Sequence, residues 1–93
     1  MRIQVEFEAQ LRTSFGRAAV DLDLPDGSTV AGALRAAADA GPDSFAAHLM
    51  TDSGIRPSLL IFVGDDSVAA SDADAYDLSE GDRVVVMPPI AGG

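Results

Sequence analysis

The chain has 93 residues, 47% of them hydrophobic, with four Phe, one Tyr and neither Trp nor Cys. Fifteen acidic against six basic residues leave a net charge of −9; such a surface repels phosphate backbones and anionic lipid, which argues against nucleic-acid and membrane binding and either favours a partner with a basic docking face or simply keeps the protein in solution. Without cysteine there is no disulfide, thiolate metal site, iron–sulfur cluster or cysteine nucleophile, and Met1–Glu6 lacks the apolar core of a signal peptide, so a cytoplasmic protein is expected.

The length predicts one domain. All six basic residues are arginine, so the chain offers no side-chain amine on which isopeptide chains can be built. Residues 2–9 alternate, with Ile3, Val5 and Phe7 against Gln4, Glu6 and Glu8, which predicts a half-buried strand. Thr13, Ser14 and Gly16 predict a turn over 10–17. Val20, Leu22 and Leu24 then alternate with Asp21 and Asp23, and the two runs read as an antiparallel hairpin. Pro25-Asp26-Gly27 ends it, and Ser28 or Thr29 is a suitable N-cap.

From Val30 the spacing turns helical, with Val30, Ala33, Leu34, Ala37 and Ala38 on one face and Gly41-Pro42 as the stop. A short second helix is expected within 43–50, and a loop over 51–57. Residues 58–63 are apolar on both faces and predict a central strand. Gly64-Asp65-Asp66 is a turn, Ser67-Val68-Ala69 a short edge strand, and 70–76 a polar surface segment. A tight turn over Leu78–Asp82 leads into a last strand, Arg83–Met87. Ile3, Val5, Val20, Leu22, Leu24, Leu34, Leu60 and Val84 are the expected core.

This order predicts an α+β fold, the ubiquitin-like β-grasp, with a mixed four- to five-stranded sheet and one main helix packed on one face. The β-grasp domain is expected over 1–87, followed by a tail, Pro88-Pro89-Ile90-Ala91-Gly92-Gly93. Two prolines end the strand ladder because proline has no N–H to donate. The sequence then closes on Gly92-Gly93, whose terminal carboxylate is expected to be the working group.

The chain resembles the prokaryotic ubiquitin-like sulfur carriers, which include the molybdopterin synthase small subunit, the thiamine-pathway and cysteine-pathway carriers, and the archaeal small modifiers. The resemblance covers the whole chain. It rests on Phe7–Arg12 in the first strand, Gly27-Ser28-Thr29-Val30 with Leu34, Leu78-x-x-Gly81-Asp82-x-Val84, and the Pro88–Gly93 tail. The double proline is closest to the molybdopterin synthase small subunit and the cysteine-pathway carrier. Residues 43–57 lean toward the cysteine-pathway carriers and small modifiers. Phe62-Val63-Gly64-Asp65 departs from the Val-Asn that many relatives have there.

The resemblance implies a carrier that is not itself an enzyme. A ubiquitin-activating-enzyme-like adenylyltransferase would use ATP and magnesium to adenylate the Gly93 carboxylate. A sulfur donor protein or sulfide would displace AMP to leave a thiocarboxylate, which serves an acceptor enzyme or a synthase large subunit in molybdopterin-type cofactor, cysteine or secondary-metabolite biosynthesis. Gly92 and Ala91, and with them Ile90, keep the tail narrow, and Pro88 and Pro89 favour an extended path that lowers the entropy lost on threading into a partner. Six residues beyond Met87 reach about 20 Å when extended.

A docking surface must accompany the tail. Val84 and Val86 share one face of the last strand, so Val85 and Met87 are expected on the open face as partner-binding residues; the alternative is that this face is covered. No metal or cofactor site is expected in the chain. His48 stands without partner ligands, Asp65-Asp66 and Asp72-x-Asp74 lack EF-hand spacing, Ser14 and Ser44 lack a His–Asp pair, and no phosphate-binding Gly-rich loop occurs. Two other readings stand beside the sulfur carrier: a modifier conjugated through Gly93 to target lysines, and a non-covalent β-grasp interaction module.

Overall fold

Alternating valines and isoleucines build the sheet, and the alanine-rich helix lies across it. The computed structural model describes residues 1–89. The elements run β1 (Arg2–Phe7), α1 (Ala9–Phe15), β2 (Ala19–Asp23), α2 (Val30–Ala40), a 3₁₀ turn (Asp43–Phe45), α3 (Ala46–Leu49), β3 (Met50–Thr51), β4 (Gly54–Ile55), β5 (Leu60–Val63), β6 (Asp66–Val68), a second 3₁₀ turn (Ala70–Asp72) and β7 (Arg83–Met87). Five strands form one mixed sheet in the order β2-β1-β7-β5-β6. The first and last strands pair in parallel, Val5 beside Val84 and Phe7 beside Val86, and the other neighbours are antiparallel. This is the expected α+β β-grasp.

One face of the sheet carries the core. Ile3, Val5, Phe7, Ile61, Val84 and Val86 are almost wholly buried, together with Val30, Ala33, Leu34 and Ala37 of α2. No polar or charged residue is buried among the described residues, so this interior is held by apolar packing alone. Small alanines let α2 sit close on the sheet. Its N-terminus is closed by neighbours. Thr29 Oγ1 accepts from Gly32 N at 3.2 Å, while Val30 N and Ala31 N donate to the carbonyls of Tyr76 and Ala73 at 3.0 and 2.9 Å. Three N–H groups that a helix leaves unpaired are thereby satisfied.

The structure departs from the sequence reading in several places. Residues 10–17 are not a turn, because Leu11 and Phe15, four apart, both bury on one side and wind 9–15 into α1. Gly16 closes that helix at φ 91°, in the left-handed region that glycine enters without steric cost. The first strand ends at Phe7, so the Phe7–Arg12 motif spans a strand–helix corner, where Ala9 sits at φ 53°. Residues 51–57 hold a miniature hairpin, β3 with β4. The segment 70–76 exposes its acids but buries Ala73 completely, because its backbone must reach the start of α2.

The remaining correction concerns β5. It is an inner strand, but the middle of the sheet is β7. Leu60 is 41% exposed rather than a core residue, and Leu22 and Leu24 are only half-buried. Their places in the core go to aromatics. Phe7, Phe15 and Phe45 meet with ring centroids 4.7–4.9 Å apart. Offset and edge-on contacts of this kind add about 0.5–1.5 kcal/mol per pair beyond burial. The cluster ties β1, α1 and the first 3₁₀ turn into one end of the core.

Candidate functional site

Register decides what the tail's strand presents. Across β5 and β7, Ile61 pairs with Val86 and Val63 with Val84, and these four are buried. The alternate pairs, Leu60 with Met87 and Phe62 with Val85, therefore point to the opposite face. On that face Leu60 is exposed, and Phe62, Val85 and Met87 are half-buried. The result is an apolar quartet next to the place where the chain leaves β7.

The same face changes character on its other half. Glu6 on β1 lies opposite Val85 and accepts from Arg83 at 3.1 Å. Farther out, Gln4 bonds Asp21 at 3.2 Å and Arg2 pairs with Asp23 at 3.4 Å. The face thus has an apolar half beside the tail and a charged half beyond it.

Pro88 is half-buried and Pro89 exposed, and both line an open cleft of about 690 Å³ between α1 and the β4–β5 connection. The four remaining tail residues singled out from the sequence, Ile90, Ala91, Gly92 and Gly93, lie outside the described residues. Val85 and Met87 stand on the open face. Leu60 and Phe62 join them, and sequence reasoning did not name them for it. Their i, i+2 spacing was the available signal, but which face it addressed depended on the β5–β7 register. Among the described residues no three His, Asp or Glu side chains group so as to hold a metal ion. No described helix is long and apolar enough to cross a membrane.

Among known families, the ThiS family profile matches residues 5–93. The chain belongs to the ThiS family. The expected resemblance to ubiquitin-like sulfur carriers is thus borne out. Small archaeal modifier protein 3 of Haloferax volcanii is 31% identical over 93 residues, the full length of both chains. The crystal structure of SAMP1 from the same organism superposes with a TM-score of 0.87 at 21% identity, covering 100% of each chain. The CysO-containing complex with BexX from Amycolatopsis orientalis gives a TM-score of 0.76 at 23% identity, covering 98% of this chain and 99% of that one. These structures share the β-grasp fold seen here.

Proposed function

We propose that this ThiS-family protein is a sulfur carrier whose Gly93 carboxylate is activated by a partner enzyme. The observation that carries the reading is the apolar quartet Leu60, Phe62, Val85 and Met87 at the root of the tail, on a chain that is homologous to carriers and modifiers end to end. In the proposed cycle a Gly93 carboxylate oxygen attacks the α-phosphorus of ATP and pyrophosphate leaves. Magnesium and the nucleotide are held by the partner. Hydrosulfide then attacks the acyl carbon, AMP leaves with the C–O bond electrons, and a proton is released, giving the thiocarboxylate. With a protein persulfide as donor, the product is an acyl disulfide that a thiol reduces.

A carboxylate is a poor electrophile until its oxygen becomes part of a leaving group, which adenylation achieves. The partner supplies that chemistry; this chain supplies a handle. The quartet positions the domain, and Pro88 and Pro89 stiffen the start of the tail. Acceptance by a synthase large subunit or another acceptor enzyme would use the same surface.

A second reading is favoured by the 31% identity to small archaeal modifier protein 3: conjugation of Gly93 to lysines of target proteins. Both share the adenylation step. Intact-mass measurement after incubation with an adenylating enzyme, ATP and sulfide separates them: exchange of one oxygen for sulfur marks the carrier, and Gly-Gly remnants on target lysines mark the modifier. Gly93→Ala should abolish adenylation with the fold unchanged, and Met87→Asp should weaken it at an unchanged melting temperature. Wild-type AMP formation by Gly93→Ala refutes both readings.

A further inference from the structure

The cleft beside Pro88 and Pro89 differs in charge from the rest of the molecule. The chain carries 15 acidic residues, yet none of the eleven residues lining this cleft is acidic, and two are His48 and Arg56. Four of the other arginines, Arg2, Arg12, Arg35 and Arg83, each meet a carboxylate at 3.1–3.5 Å. Arg56 has no such partner among the described residues. Its Nε donates instead to the Ala47 carbonyl at 2.7 Å, which fixes one edge of a guanidinium that lines the cleft. The floor is made by Leu11 and Leu59, both buried.

We infer that this cleft is a second docking site, and that its occupant is an acidic segment of the protein that takes the tail. This rests on the carrier-or-modifier reading above. Pro88 and Pro89 line the cleft, so a macromolecule that receives the chain beyond Pro89 makes its first contacts beside it. Elsewhere a surface of charge −9 repels an acidic segment; here a carboxylate meets a planar, pre-oriented guanidinium and an imidazole. The apolar quartet positions the partner on one side of the tail root, and the basic cleft fixes it on the other. Charge here selects a partner by sign, and apolar contact alone does not.

The test needs no identified partner. The full chain is titrated, with backbone amide NMR detection, with an N-acetylated, C-amidated octapeptide alternating Glu and Leu, with its Gln counterpart, and with inorganic phosphate. Saturable shifts centred on His48, Arg56 and Ser58 are expected with the Glu peptide. The Gln peptide should bind at least about fivefold more weakly, and Arg56→Gln should weaken the Glu peptide about three- to fivefold, as loss of a partly exposed ion pair does. Arg56→Lys keeps the charge without the Nε anchor and should fall between.

Equal binding of both peptides, no saturable shift, or shifts centred on Phe62 and Met87 would overturn the site. Equally strong shifts with phosphate would make it a simple anion site. Concentration-dependent shifts without peptide would assign the cleft to a second copy, and a nuclear Overhauser contact between Ile90 and Leu59 in the free chain to its own tail; either refutes the inference. Each result leaves the Gly93 adenylation test untouched, so the two proposals fail separately.

Discussion

Gly41→Ala isolates how tightly the aromatic end of the core is packed. Gly41 follows α2 with φ −97° and ψ −174°, an extended conformation open to any residue, so its backbone gives no reason for glycine. The side chains do. A Cβ at this position would lie 2.7 and 2.8 Å from Cε1 and Cδ1 of Phe15 and 3.5 Å from Cδ2 of Phe45. The Phe15 ring is 4% exposed and has Phe7 and Phe45 at 4.7 and 4.9 Å, so it cannot swing clear. Relief requires the ring to retreat by several tenths of an ångström into a filled interior. Overpacking of this kind costs about 1–3 kcal/mol. Lower unfolded-chain entropy in the variant returns about 0.4–1 kcal/mol. The net loss is about 1–2 kcal/mol, and at about 4–8 °C per kcal/mol for a domain of this size the thermal midpoint should fall by about 5–15 °C. Circular dichroism or calorimetry measures it. Phe15→Leu should be destabilising alone yet remove much of the Gly41→Ala penalty in the double variant. A Gly41→Ala protein as stable as the parent, or strictly additive effects of the pair, would refute the reasoning.

Two further outcomes follow from single contacts. Thr29→Ala should lower stability by about 1 kcal/mol in urea, with Thr29→Ser close to the parent, because only the Gly32 N–H loses its partner while Val30 and Ala31 keep theirs; full parental stability would show the cap to be dispensable. The Tyr76 hydroxyl donates to Asp66 at 2.7 Å, and this bond, ahead of desolvation and the charges of Asp66 and Asp82, holds its pKa above the ordinary value of 10.0. The folded pKa exceeds the unfolded one, so the stability it contributes is complete below about pH 10 and is lost as pH rises through the folded value. Asp66→Ala should return the tyrosinate absorbance titration toward 10, and an unmoved titration would contradict the assignment.

Much of this architecture was legible because its signals are local. Period-two alternation marked β1 and β2, an apolar run behind a tight turn marked β7, and the change to helical spacing at Val30 marked α2. What stayed hidden needed tertiary partners. Leu11 and Phe15 look like fragments of a turn beside Thr13, Ser14 and Gly16 until Phe7 and Phe45 give them something to pack on. Leu60 reads as core by composition, and only its register opposite Met87 puts it outside. Within the candidate site, Val85 and Met87 followed from parity with Val84 and Val86. The cleft did not, because His48, Arg56 and Pro88 are remote in sequence and have no shared pattern.

The parallel seam between β1 and β7 makes the fold dependent on residues 2–7 and 83–87 meeting. Such sequence-distant pairing is entropically late and slow to form. A chain growing from its N-terminus holds Phe7 and Val5 without their partners until Val84 and Val86 have been synthesised. The apolar quartet has the same dependence, since Met87 and Val85 complete it from the last strand. A chain cut before β7 therefore loses the β1 seam and half of the apolar quartet together.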